Sequence, residues 1–410
     1  MKKLLGLFMV LALAIPASAD VLKNVDVKGE IQTIASDVHH NALAGAPAAP
    51  IYKSGTSARV LAGLSAELVE DVTANLLFQY ANVWGNDDSA GKTVNGYWNS
   101  IRLVEGNVVL SNLLDCFEAT IGRQFYGEED SAVMYIGPNH YNAEFNGATR
   151  SLDAAKVTYS DDVKAFTMLA GTINNTFDTP AAVPAVLVTT KSDIFGADFK
   201  LKLAETLTAQ VYGYDVRNNA VNEDKNIGFY GGKLVFNPQA AKLAVEYARN
   251  FGGHRLIKEG DNTGYMVKVD GAATVEAMTL RGTFLYEHEN FWAYGNYTPG
   301  LLIGHRLGGA IGDYSAAEGV RLFNVGVDVK PFEKWTFSLD GYSFQDRFGH
   351  HSSTWEGDLT VKYTHNEYVQ LFAGAGYAKY GTDEPVAGVS YKNALHKDNY
   401  KGQLGMLINF

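Results

Sequence analysis

The feature that most constrains this chain is a rhythm of period-two segments joined by links of two lengths. Eighteen stretches alternate apolar and polar residues, from Val25–Ile34 near the start to Asn399–Phe410 at the end. Eight turns of about three to five residues, such as Glu70-Asp71-Val72 and Ser160-Asp161-Asp162, alternate strictly with nine longer links, the longest running from His288 to Gly319. Successive side chains of a strand point to opposite faces, so each stretch offers one apolar face and one polar face. A two-sheet soluble sandwich has no reason to place every long link at one end. An antiparallel membrane barrel does, with short turns on one side and long loops on the other. The expectation is an all-β chain, a transmembrane antiparallel β-barrel of about eighteen strands. The count falls to sixteen if the two poorest stretches, Trp98–Leu110 and Ser151–Tyr159, do not span.

The two chain ends agree with export to an outer membrane. Met1-Lys2-Lys3, an apolar run from Leu4 to Ile15 and the small residues Ala17-Ser18-Ala19 read as a secretory signal peptide over residues 1–19, leaving residues 20–410 as the barrel. Elsewhere no stretch is apolar for the roughly 18 residues that a spanning helix needs. At the other end Tyr400, Gly402, Leu404, Met406, Ile408 and Phe410 share one face. That strand resembles the C-terminal signal of bacterial outer-membrane proteins. The resemblance implies recognition by the barrel-assembly machinery, with Leu404, Met406, Ile408 and Phe410 as the apolar set. An even strand number places both mature termini in the periplasm, with outer-membrane lipid around the wall.

Composition excludes several alternatives. Glycine is abundant at 42 residues, tyrosine and phenylalanine number 23 and 21, and proline is scarce at 10. Mean hydropathy is −0.11, as expected when half of every strand faces lipid and half faces water. The formal net charge of −11 and the lack of a basic stripe exclude nucleic acid as a partner. One cysteine, Cys116, allows no internal disulfide. Paired histidines at His39-His40 and His350-His351 sit in long links, where such pairs usually bind nothing. No nucleophile and base converge at one height of the wall, so no catalysis and no cofactor are expected. Aromatic residues at strand ends read as two girdles, with Trp84, Trp98, Tyr126, Trp355 and Tyr377 on the loop side and Phe332, Trp335, Tyr363 and Phe410 on the turn side.

The same alternation selects the residues that face the lumen. The basic set is Lys28, Arg59, Arg102, Lys156, Lys200, Lys202, Lys233, Lys242, Lys268, Arg281, Lys362 and Lys401. The acidic set includes Glu118, Asp198, Glu246, Asp328, Asp340, Glu356 and Asp358. Mixed signs point to a hydrated passage without strong single-sign selectivity, since ion-selective constrictions are rings of one sign. The links Phe125–Arg150 and His288–Gly319 are the candidates to narrow it. In Trp98–Leu110 the alternation breaks phase at Glu105, which calls for a bulge.

Ile121-Gly122-Arg123-Gln124-Phe125-Tyr126-Gly127, followed by Gly137-Pro138 and Asp153-Ala154-Ala155-Lys156-Val157-Thr158-Tyr159, resembles the strand–link–strand block of the bacterial alginate-export family. The resemblance implies an eighteen-stranded outer-membrane barrel that exports an anionic polysaccharide passively through a basic constriction. This chain departs from that pattern in its mixed lumen charges and acidic balance. Arg123 also shares its phase with lipid-facing Phe117, Ala119 and Ile121. The function expected is a porin-like channel for small hydrophilic solutes or saccharides. An alginate-type exporter and an adhesion barrel that only carries its loops are the alternatives. Monomer and homo-oligomer are both open.

Overall fold

The strands occur in the order β1 (Lys23–Asn41), β2 (Pro50–Val69), β3 (Val72–Trp84), β4 (Ile101–Leu113), β5 (Phe117–Gln124), β6 (Tyr126–Gly127), β7 (Tyr135–Ile136), β8 (Leu152–Ser160), β9 (Lys164–Ile173) and β10 (Ser192–Ala204). They continue with β11 (Leu207–Asn218), β12 (Lys225–Phe236), β13 (Ala241–Phe251), β14 (Tyr265–Val275), β15 (Met278–Glu287), β16 (Val320–Phe332), β17 (Trp335–Asp346), β18 (Thr354–Thr364), β19 (Val369–Lys379) and β20 (Asn399–Asn409). The computed structural model describes residues 23–41, 50–84, 101–140, 149–173, 192–218, 225–251, 264–288, 291, 293–295, 297, 299–302, 320–346, 354–379 and 399–410. All strands but β6 and β7 form one antiparallel sheet of 18 strands. Each pairs with its chain neighbours, β5 pairs with β8 around the β6–β7 insertion, and β1 pairs with both β2 and β20. The sheet closes on itself and leaves no edge, as a wall in lipid requires.

Alternation sets the two faces. Large apolar side chains stand exposed on the outside, among them Val325 (71%), Leu404 (64%), Leu339 (58%) and Met168 (55%). Their chain neighbours turn inward and include the buried polar residues Asn324, Gln403 and Asp340. Closure is tight at the seam. Gly29 and Phe410 exchange backbone hydrogen bonds of 2.7 and 3.0 Å. A Cβ on Gly29 would lie 2.5 Å from the Leu61 carbonyl oxygen and 2.6 Å from the Phe410 ring, so only glycine fits there. Short turns use residues that tolerate positive φ, such as Asp71 (62°) and Asn112 (52°).

Several local expectations are corrected. The β1–β2 hairpin continues to Asn41 opposite Pro50, beyond the Ile34 at which the period-two pattern fades. His39 and His40 therefore lie in β1 and not in a link, and the His39 ring packs edge-on to Tyr400 at 4.9 Å. His350 and His351 lie outside the described residues. The β14–β15 turn is Glu276-Ala277, not Asp270-Gly271-Ala272; Glu276 adopts a φ of 50°, and Asp270 joins the inner wall, where it accepts a hydrogen bond from Thr283 at 2.8 Å. The bulge in β4 lies at Val104, because Phe78 pairs with Leu103 while Leu77 pairs with Glu105. Val104 thus turns inward as an extra residue and packs with Leu61, Leu77 and Phe125.

The inner wall also changes character with height. Along β10 the inward residues run from Ser192 and Ile194 at the loop side to Asp198, Lys200 and Lys202 towards the turn side. The same switch separates Leu152 from Lys156, Phe229 from Lys233, Leu285 from Arg281, and Leu322 from Asp328. Over much of β8–β16 the loop-side wall is therefore largely apolar on both faces, whereas β18 and β20 keep Glu356, Asp358 and Lys401 inward there. The wall is also uneven in length, with 8 residues in β5 and 9 in β8 against 19 in β1.

The outer apolar face gives a direct test. Val325→Arg, in the middle of β16 and facing outward, is expected to destabilise the barrel by about 2–4 kcal/mol, the cost of an arginine at mid-bilayer depth. Urea titration of the protein folded into lipid vesicles measures it, and an unchanged midpoint would contradict this assignment of faces.

Candidate functional site

An apolar inner wall must be covered, and two links cover it. The first leaves β5 at Phe125, forms the small β6–β7 hairpin and reaches His140. The second contributes residues 291, 293–295, 297 and 299–302. Val133, Met134, Ile136, Phe291 and Leu302 are all nearly inaccessible and pack with Leu152, Ile194, Phe229, Met266, Leu285 and Leu322 of the wall. Burying such a side chain contributes roughly 1.5–3 kcal/mol, so the links are held inside as part of the fold. They also hold each other: Met134 bridges Tyr294 in parallel, and the Tyr135 N–H donates to the Tyr294 carbonyl at 2.8 Å.

Polar tethers then position the links across the lumen. Consecutive acids at the tip of the first link face different ways. Glu128 lies 3.2 Å from the Lys200 Nζ and 3.6 Å from the Lys233 Nζ on β10 and β12. Glu129 turns to His140, accepting from its Nδ1 at 2.7 Å and from its backbone N–H at 2.6 Å. His140 Nε2 in turn reaches Glu30 of β1 at 2.6 Å, and Glu30 takes a 2.8 Å hydrogen bond from Arg59 of β2. The second link is held by backbone donors. The Leu301 N–H donates to Glu356 and Asp358 at 2.7 and 2.9 Å, the Leu302 N–H donates to Glu356 at 2.7 Å, and Lys401 Nζ donates to the Leu301 carbonyl at 3.3 Å. Lys268 Nζ sits 4.0 Å from the centre of the Tyr297 ring.

Among the described residues, two cavities lie beneath the links. The first, of about 450 Å³, is lined by Tyr126, Glu128, Lys156, Asp198, Lys200, Gln210, Tyr212, Tyr214, Lys233 and Glu246, among others. The second, of about 340 Å³, is lined by Asp130, Lys233, Lys242, Lys268, Asp270, Arg281, Tyr297 and Tyr342, among others. Lys233 borders both. Within the first cavity the wall acids are engaged by neutral wall donors, Asp198 by Gln210 and Glu246 by the Tyr212 hydroxyl at 2.8 Å.

The remaining wall charges fall into place around these cavities. Arg281 is bound by Asp328 at 2.8 and 2.9 Å and by Asp340 at 3.0 Å. Lys28 pairs with Glu105 at 3.1 Å. Glu118, Lys202 and Lys242 are exposed towards the turn-side mouth, while Arg102 and Lys362 are half-buried on the inward phase of β4 and β18. The bases that line the cavities belong to β8–β15, and the acids Asp328, Asp340, Glu356 and Asp358 belong to β16–β18. The signs stay mixed around the barrel, since Asp198, Glu246 and Asp270 line the same cavities as these bases and Lys362 stands on β18.

Link residues were the ones that wall periodicity could not select: Glu128, Glu129, Asp130 and His140. The run Gly127-Glu128-Glu129-Asp130 inside a long link was the available signal. Tyr126 is corrected from a girdle residue to a lumen residue, with its hydroxyl 2.9 Å from that of Tyr214 and burial pushing its pKa up to about 12. Trp355 and Tyr377, with rings 5.3 Å apart, do lie on the outer face near the loop side, and Trp335 and Tyr363 (4.7 Å) near the turn side. Arg123 stays on the outward phase without a bulge of its own. Asp153 holds it in a two-point ion pair of 2.7 and 2.8 Å.

No protein-family model matches the chain, and no curated protein matches it. Solved structures do. A BenF-like porin from Pseudomonas fluorescens Pf-5 superposes with a TM-score of 0.63 at 11% identity, over 95% of this chain and 99% of that one. Pseudomonas aeruginosa OpdQ gives 0.62 at 12% identity, over 96% and 99%. Pseudomonas aeruginosa OpdK, solved with vanillate, gives 0.61 at 10% identity, over 94% and 98%. The fold is that of an outer-membrane porin. At these identities the likeness is one of architecture.

His140 makes the first tether sensitive to pH. Burial opposes its charge, but hydrogen bonds to Glu129 and Glu30 outweigh that and raise its pKa to about 9. The charged contact is complete below the ordinary imidazole value near 6.5 and is lost as pH rises through about 9. Single-channel recordings between pH 7 and pH 10 are expected to show current fluctuations growing across that upper range. His140→Gln, which cannot be charged, should fluctuate at both ends, and a pH-independent wild type would contradict the tether.

Proposed function

We propose that the chain is a passive outer-membrane channel for small hydrophilic solutes, favouring those that carry a carboxylate. The observation that carries this reading is the pair of charged cavities left under the two inserted links. Their volumes fall within the range of ordinary small-molecule sites. Lysines supply most of the positive charge: Lys156, Lys200 and Lys233 in the first cavity, Lys233, Lys242 and Lys268 in the second. Solutes would move down their gradient past these lysines, with the acids of β16–β18 on the neighbouring strands, and the process needs no catalysis and no cofactor. The vanillate bound in the OpdK structure is an aromatic carboxylate of suitable size, and Tyr126, Tyr212 and Tyr214 offer aromatic surface beside the lysines.

The alternatives fare less well. Export of an anionic polysaccharide needs a bore through which a polymer can thread, and the links are tied to opposite arcs of the wall across that path. Of the two bases within the alginate-like block, Lys156 lines the first cavity, but Arg123 faces outward on Asp153 and adds nothing to a constriction. An adhesion barrel would direct its links outward, whereas the described parts of these two pack inside.

Planar-bilayer recordings across a KCl gradient test the channel. A stable conductance with chloride favoured over potassium is expected. Lys233→Gln should lower the permeability ratio by roughly fivefold, because one unit charge roughly 8 Å from an ion is worth about a factor of two at a water-like dielectric and acts with opposite sign on chloride and potassium. Liposomes should swell in pentoses but not in long malto-oligosaccharides. A folded barrel with neither conductance nor solute uptake would overturn the reading.

A further inference from the structure

Glu128 is held in a way that apolar packing does not explain. Its side chain is 57% exposed, more than its partners Lys200 (43%) and Lys233 (22%), yet each carboxylate oxygen lies against a different ammonium, at 3.2 and 3.6 Å. The two lysines come from β10 and β12 with β11 between them, and they converge on one carboxylate inside the first cavity. The wall acids nearby are taken up by Gln210 and Tyr212. Lys156, in the same cavity, has no ion-pair partner among the described residues.

We propose that Lys200 and Lys233 form a binding site for a solute carboxylate and that Glu128 is a tethered competitor for it, a specificity-determining residue that the solute must displace. The proposal rests on the channel reading above. Two ammonium groups facing one oxygen each, Lys200 in a charge-assisted hydrogen bond and Lys233 in a longer ion pair, is an arrangement that a small organic acid could take over. Glu129 and His140 hold the link independently, so Glu128 can swing aside without the link leaving the wall. A ligand on a short tether competes at an effective concentration of roughly millimolar. Carboxylates would therefore be resisted below that level, while neutral solutes of the same shape would not sense Glu128.

The test uses the full-length protein in planar bilayers, with benzoate as a blocker of the chloride current and benzyl alcohol as its neutral counterpart. Glu128→Gln is expected to lower the half-blocking benzoate concentration by at least about threefold, as removal of a tethered competitor requires. Benzyl alcohol should be indifferent to the change, and Lys233→Gln should raise the benzoate value. An unchanged or higher benzoate value in Glu128→Gln overturns the proposal. So does a general rise in conductance with no change in benzoate block, which would make Glu128 a tie for the link and nothing more. Wild type without any conductance would instead defeat the channel reading, which keeps the two failures apart.

Discussion

The structure depends on an apolar surface in an unexpected place, the inside of the wall on its loop side. A barrel strand ordinarily shows lipid its apolar face and water its polar one. Here Leu152, Ile194, Phe229, Met266, Leu285 and Leu322 turn apolar side chains inward, where bulk water would otherwise meet them. Folding two links over them removes that surface from water and divides the lumen at the same time. The narrowing is thus a by-product of core formation, and the cavities lie where the apolar lining ends and the lysines begin.

Two different forces share the positioning. Apolar burial decides that the links lie inside, but it is non-directional and would tolerate sliding. Directional contacts supply the register: the His140–Glu30–Arg59 chain on β1 and β2, the backbone donors of Leu301 and Leu302 on β18, and the lysines around Glu128. Among the described residues, most tethers place a charge from one partner against a charge or a backbone donor of the other. Such contacts are strong in a partly dry lumen and sensitive to protonation.

Period two made the faces of the strands legible in the sequence. Lys156, Lys233 and Asp340 could be placed on the inward phase from their neighbours alone, and the phase break at Glu105 marked the bulge to within one residue. Height was not legible in the same way. Alternation says which face a residue is on and says nothing about how far along the bore it lies, so Phe229 and Lys233 looked like members of one set. Tyr126 was misread for the opposite reason, since an aromatic just past a strand end has two apolar destinations, the headgroup region and the interior. The acidic tip Glu128-Glu129-Asp130 has no periodicity at all. Glu128 takes its meaning from strands more than seventy residues away, which no local pattern can report.

The unequal wall has a consequence for the membrane itself. At about 3.3 Å per residue and a tilt near 40°, the nine residues of β8 reach only about 23 Å along the membrane normal, slightly less than the apolar band of about 25 Å that such barrels present. β1, at 19 residues, overshoots it easily. Lipid beside β5 and β8 would have to thin to match the shorter wall, and thinning of this kind costs fractions of a kcal/mol per ångström. The Arg123–Asp153 pair sits at the loop-side end of that low stretch, where compressed headgroups come down to meet it. One flank of the barrel therefore imposes its own local bilayer thickness, and shorter-chain lipids would gather there first.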